Sequence, residues 1–265
     1  MNRLRGVTLI ELIVVIAITG IIAAAVALFI RRPVEGYVDA ARRATLTDVA
    51  DTALRRLTRD LRLALPNSVR VSGTFIEYIE TSGGGRYRAE LDSGGLGDIL
   101  NFAAADLSFG VIGPSPTLAT GNQIVVYNLY SSGTTSNAYS GDNRAALTNT
   151  AAPPVAIAST LFPASSPGKR FHVVTGPVTY GCTGGQLLRY SGYAYNPAQV
   201  APPTGATTTA VLATNVGECQ FVYTAGTLTE RTGTVSIILQ LNSVAAGGDI
   251  ERVRMFQQAQ VSNAP

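Results

Sequence analysis

The stretch "GVTLIELIVVIAITG", Gly6–Gly20, decides how the rest of the chain is read. It opens an apolar run, Val7–Ile30, of 24 residues in which Glu11 is the single charge. As an α-helix the run would extend about 36 Å, enough to cross a hydrocarbon core of about 30 Å. A cleaved signal peptide has a shorter apolar region, of about 7–15 residues. A buried core helix of this length without a polar face would be unusual. A plain membrane anchor fits the length but gives Glu11 no part. A carboxylate inside a spanning helix costs on the order of 2–3 kcal/mol near the bilayer centre and less near its edge. Glu11 is therefore a functional candidate in need of a partner. Arginines flank both ends, Arg3 and Arg5 before, Arg31 and Arg32 after, so charge bias alone does not orient the span.

Past this run, "RRPVEGY" (Arg31–Tyr37) contains Pro33 and Gly36, which predict a kink or local break. Helical spacing then resumes. Leu46, Val49, Ala50, Ala53, Leu57, Leu61 and Ala64 form one apolar face. Asp39 with Arg43, and Asp51 with Arg55, have the i,i+4 spacing of helical ion pairs. Pro66 predicts the helix end at Leu65.

Beyond Pro66 the pattern is strand and turn. Val69–Thr81, Asn122–Tyr130, "RFHVVTGPVTYGC" paired with "QLLRYSGYAY", "ECQFVY", "TVSIILQLN" and "ERVRMFQQAQVS" read as strands. Ser82–Arg86 and Tyr180–Gln186 are glycine-rich and read as turns; neither has the lysine and following helix of a phosphate-binding loop. Residues 131–169 and 196–209 read as surface loops. The expected fold is α+β: a long N-terminal helix, membrane-spanning in its first half and amphipathic in its second, packed on an antiparallel β-sheet head.

Charge and chemistry narrow the function. Charged residues are 14% of the chain, below the roughly 25% of ordinary soluble domains. Residues 1–62 carry net +4, whereas residues 63–265 carry net −1. The sequence average thus shows no basic footprint for nucleic acid, which leaves a local patch open. Arg55, Arg56, Arg59 and Arg62 read as a solvated helix face or as contacts to acidic groups of neighbouring subunits. His172 is the sole histidine and sits in a strand-like run, so a catalytic triad has no local support. No enzyme, cofactor or metal centre is expected. Asp92, Asp98 and Asp106 could in principle hold calcium, but their spacing is not that of an EF-hand. Tyr130, Tyr139, Tyr190, Tyr193 and Tyr195 suit either sugar stacking or sheet faces. If the head lies outside the cytoplasm, Cys182 and Cys219 would form a disulfide contributing about 3–4 kcal/mol; the alternative is two unpaired buried thiols.

Gly6 followed by Val7-Thr8-Leu9-Ile10-Glu11-Leu12 closely resembles the class III signal of type IV prepilins and type II secretion pseudopilins. Val7 stands where that family usually has phenylalanine. The resemblance implies cleavage by prepilin peptidase between Gly6 and Val7, N-methylation of Val7, and a leader, residues 1–6, on the cytoplasmic face. It also implies that Glu11 meets the N-terminal amine of a neighbouring subunit and fixes axial register. Arg56–Val71, "FIEYI", "CQFVY" and "QQAQVSNAP" are similar to minor pilins of the mannose-sensitive haemagglutinin (MSHA) pilus, the MshO group, with PilW-type pilins and GspJ-type pseudopilins related in plan.

The domain plan expected is a leader (1–6), a transmembrane and filament-core helix (7–30), an amphipathic continuation (31–65) and a β-rich head (66–265). The resemblance implies a minor pilin of an MSHA-like pilus acting near the tip. Its partners would be prepilin peptidase, major and other minor pilins, the inner-membrane assembly platform, and membrane lipid before assembly. Its place would be the inner membrane, with the head periplasmic, and then the pilus surface. The alternatives are a type II secretion pseudopilin, and an adhesive or DNA-binding tip module.

Overall fold

The computed structural model describes residues 6–151, 153–226, 231–244, 248 and 250–265, with Arg31 and Arg32 described in backbone only. The expected leader charges, Arg3 and Arg5, lie outside the described residues. The first element is helix α1, Leu9–Leu61, of 53 residues and about 80 Å. Of the kink or local break expected at Pro33 and Gly36, the break does not occur: the helix is continuous through both. A proline inside a helix removes one backbone hydrogen bond, and glycine costs about 1 kcal/mol relative to alanine. Propagation along so long a helix absorbs both. At the other end α1 stops at Leu61, four residues before the expected boundary. Sheet pairing takes over: Ala64 bridges Glu80, Leu65 N–H donates to the Ile79 carbonyl, and Thr81 N–H donates to that of Leu63.

The head is antiparallel throughout its described strand pairs. In chain order the strands are β1 (Arg70–Ser72), β2 (Phe75–Tyr87), β3 (Asp106–Phe109), β4 (Val111–Ile112), β5 (Gln123–Val126), β6 (Arg144–Ala146) and β7 (Val155–Thr160). There follow β8 (Arg170–Thr183), β9 (Gln186–Ser191), β10 (Thr208–Thr214), β11 (Val216–Thr224), β12 (Thr232–Val244) and β13 (Ile250–Ser262). The largest sheet has eight strands with a spine of β1-β2-β8-β5-β6; β4 extends β2, and β9 and β10 extend β8. β11-β12-β13 form a second sheet, and β3-β7 a two-stranded ribbon. The last three strands, and the β8–β9 pair, are where the alternation placed them. The β8–β9 turn is Gly184-Gly185, both with positive φ, as a two-residue hairpin requires.

Three sequence readings need correction. Ser82–Arg86 is not a turn but the continuation of β2, with Gly83, Gly84 and Gly85 opposite Val173, His172 and Phe171. Glycine is demanded there by close approach: a Cβ on Gly84 would lie 2.7 Å from the Phe171 carbonyl oxygen. Residues 131–169 are not simply surface loop, because they supply β6, β7 and the buried Ala138, Tyr139, Phe162 and Asn143. The Asn122–Tyr130 strand is confined to β5, after which Tyr127 takes positive φ.

Three clusters build the interior. In the largest, Leu46, Ala50, Ala53, Leu54, Leu57 and Leu61 of α1 meet Ile76, Tyr78 and Tyr180 of the large sheet and Val235, Ile237, Leu239 and Ala259 of the three-stranded sheet. The helical face read from spacing is therefore the buried one, with Leu54 added. A second cluster, around Tyr87, Phe109, Ile124, Phe162, Phe171 and Val173, contains no residue of α1. A small third one holds Leu65, Ile79, Val125, Tyr139 and Val174.

Candidate functional site

Gly6, Val7 and Thr8 precede the helix, and Thr8 is its N-cap, with φ −77° and ψ 154°. Thr8 Oγ1 accepts a hydrogen bond from the Glu11 backbone N–H at 3.3 Å. This is one half of a capping box, and Thr8-x-x-Glu11 is its sequence signature. The Thr8-x-x-Glu11 spacing carries this signal in the sequence itself. It gives Glu11 a local reason to be there, because a carboxylate in the first turn complements the helix dipole. Gly6 is exposed, and nothing lies within 4 Å of where a Cβ on it would stand.

From Val7 to Ile30 every residue is exposed, Val7 by 70% and Phe29 by 82%. Among the described residues α1 is the one helix long and apolar enough to cross a membrane, and none of its most apolar window is buried against the head. An apolar surface of that extent marks an interaction site.

The second half of α1 is fixed to the head by packing and by charge. Asp60, nearly buried, accepts a hydrogen bond from Tyr180 Oη at 2.6 Å and lies 3.3 Å from Arg189 Nε. Arg189 also reaches Glu80 at 3.0 Å. Burial, then the Asp60 contact, pushes the Tyr180 hydroxyl far above its ordinary range, so it stays a donor. No spacing rule could have found this set, because its members come from α1, β2, β8 and β9. At the helix surface Asp51 pairs with Arg55 at 2.6 Å as expected. Asp39 instead pairs with Arg42 at 3.2 Å, because Arg43 is drawn to Glu251 of β13 at 2.6 Å.

Cys182 of β8 and Cys219 of β11 form a disulfide, with Cα atoms 6.2 Å apart, and so tie the large sheet to the three-stranded one. The other candidates are scattered. Asp92 caps the Gly94 and Leu96 amides, Asp98 accepts from Ser108, and Asp106 accepts from the Asn101 amide. No group of three His, Cys, Asp or Glu side chains fit to hold a metal occurs among the described residues. Tyr139 is buried beneath the Arg70 guanidinium, 3.6 Å from its ring centroid, and Tyr195 lies under Arg144 in the same way. Tyr193 bonds Thr179 and Glu77, and Tyr190 is buried. Of the five tyrosines in question, Tyr130 alone is broadly exposed, by 57%. His172 lies in β8, its pKa lowered to about 4 by burial and then by the neighbouring Arg170 charge, so its imidazole is neutral. Arg55, Arg56 and Arg59 of α1 and Arg62 at its C-cap are all exposed.

Residues 1–27 match the family model for the prokaryotic N-terminal methylation motif. Neither the curated proteins nor the solved structures compared with the chain gave a match. The motif covers a small part of the chain and bears on its N-terminus; the α+β fold, with one long apolar helix on antiparallel sheets, is consistent with a type IV pilin. Motif and fold together indicate a type IV pilin- or pseudopilin-like protein, of a structural kind that prepilin peptidase processes and that assembles with other pilins.

Proposed function

We propose that the chain is a minor pilin of an MSHA-like type IV pilus, helping to initiate or cap assembly near the filament tip. Residues 1–6 are its leader, cut between Gly6 and Val7, and the Val7 amine is then methylated. Residues 7–30 hold it in the inner membrane with the head periplasmic, and later enter the filament core. Residues 31–61 carry the helix onto the β-rich head. The observation that carries the reading is the run of exposed apolar side chains from Val7 to Ile30 standing clear of the head. Such a surface needs lipid first and neighbouring helices afterwards.

After cleavage, Glu11 lies about 6 Å along the helix from the new amine. A neighbour's amine can meet Glu11 in one stagger, and an unpaired carboxylate opposes burial in any other. Glu11→Ala should spare processing and reduce incorporation; normal filament numbers would remove the register role. Gly6→Ala meets no atom of its own chain, so the loss of cleavage expected from it reports recognition by the peptidase. A processed Gly6→Ala product would sink the signal reading.

The deciding experiment is deletion of the gene in its host, with sheared pili counted and secreted proteins profiled together. Lost pili with intact secretion is the expected result. Lost secretion with intact pili would make the chain a type II secretion pseudopilin. Survival of both would move the function to a binding surface of the head.

A further inference from the structure

Arg86 of β2 lies opposite Arg170 of β8 on one side and Ile112 of β4 on the other. Directly opposed residues of antiparallel strands share a face, and like charges there repel. Both arginines are exposed, and neither has an ion pair or side-chain hydrogen bond among the described residues. The next row on this face sets Gly84 opposite His172. The strand glycines Gly83–Gly85 leave a groove of about 580 Å³, lined also by both arginines, Ile112, Pro114 and His172. His172 Nε2 is buried there without a partner. Two unneutralised guanidiniums, an apolar wall and a glycine floor beside His172 thus share one concave surface.

We propose that this groove binds an acidic saccharide. The guanidiniums take its carboxylate or sulfate, whose paired oxygens match their planar fork. The apolar face of the sugar ring lies on the glycine floor against Ile112 and Pro114. Two other ligand classes fit less well. A peptide strand would need an open sheet edge. Beside Arg86 both edges are taken, by Ile112 of β4 and by Arg170 of β8. Nucleic acid is held by many cations spread along its backbone. Residues 63–265 carry net −1, and two arginines line the groove. The groove shares no residue with α1 or with the core that α1 enters, so the proposal stands apart from the assembly role.

The test titrates the detergent-solubilised full chain with polygalacturonate, heparin, neutral dextran and a DNA duplex. Polygalacturonate should bind if a carboxylate is the ligand group, heparin if a sulfate is; dextran should not. Arg86→Gln combined with Arg170→Gln should weaken that binding tenfold or more at unchanged thermal unfolding. Ile112→Asp, which sets an acid opposite Arg86 on the groove wall, should do the same without removing a cation. Arg252→Gln, an exposed arginine of β13, should leave binding intact. Four results would each overturn the proposal: neither acidic polysaccharide binds, dextran binds equally, binding survives both groove variants, or DNA binds more tightly through the same arginines.

Discussion

The two halves of α1 share one secondary structure and have opposite surroundings. From Leu9 to Ile30 the helix presents apolar residues on every side, and none of them is covered by its own chain. From Leu46 to Leu61 apolar residues keep to one face, and that face is buried against both sheets. The comparison teaches that periodicity and burial are one fact. A one-sided helix can be finished by its own head, whereas an all-round apolar helix must be finished by lipid or by other helices.

The comparison breaks most readily at Leu57, whose side chain is fully buried. Leu57→Ala should destabilise the head by about 3–4 kcal/mol in chemical unfolding of the detergent-solubilised full chain. Ile16→Ala, in the exposed half, should change the same transition by less than about 0.5 kcal/mol. Equal losses would mean that the halves do not differ. Replacing both cysteines by serine should cost about 3 kcal/mol, because the bridge ties together the two sheets on which the second half rests. An unchanged midpoint would mean that α1 alone holds the sheets in place. Thr8→Ala should loosen the first helical turn by about 1 kcal/mol, read as faster amide exchange at Glu11, and leave the unfolding of the head unaltered. Asp51→Ala, which removes an exposed i,i+4 pair, should cost about 0.3–0.5 kcal/mol.

What was legible in the sequence follows the same division. The apolar run, the amphipathic face, the Gly6–Leu12 signal and the last three strands announce themselves because each is a local pattern with one physical cause. The failures lie where distant groups decide. Gly83–Gly85 looks like a turn until Phe171, across the strand pair, explains why no side chain fits. Arg43 looks like the partner of Asp39 until Glu251 arrives from β13. The polar stretch 131–169 looks like surface, yet its amides serve the interior. The Ala138 N–H donates to Asn128 Oδ1, and Tyr139 Oη donates to the Ser68 carbonyl. Polar composition predicts exposure only where water, and not the protein, satisfies the groups. Asp60 and Arg189 were likewise invisible, since neither is a neighbour of the other in sequence or in periodicity.

The long strands β2 and β8 place residues in both the core that holds α1 and the core that lacks it. They are paired with each other from Phe75–Gly181 to Arg86–Arg170. A tug on the outer lobe against the anchored helix therefore runs along a ladder whose backbone bonds lie crosswise to the strands. Loaded in that direction, the rungs share the force and must shear together, whereas a hairpin pulled open from one end gives way rung by rung. The path that joins the two lobes is thus built as a mechanical tie.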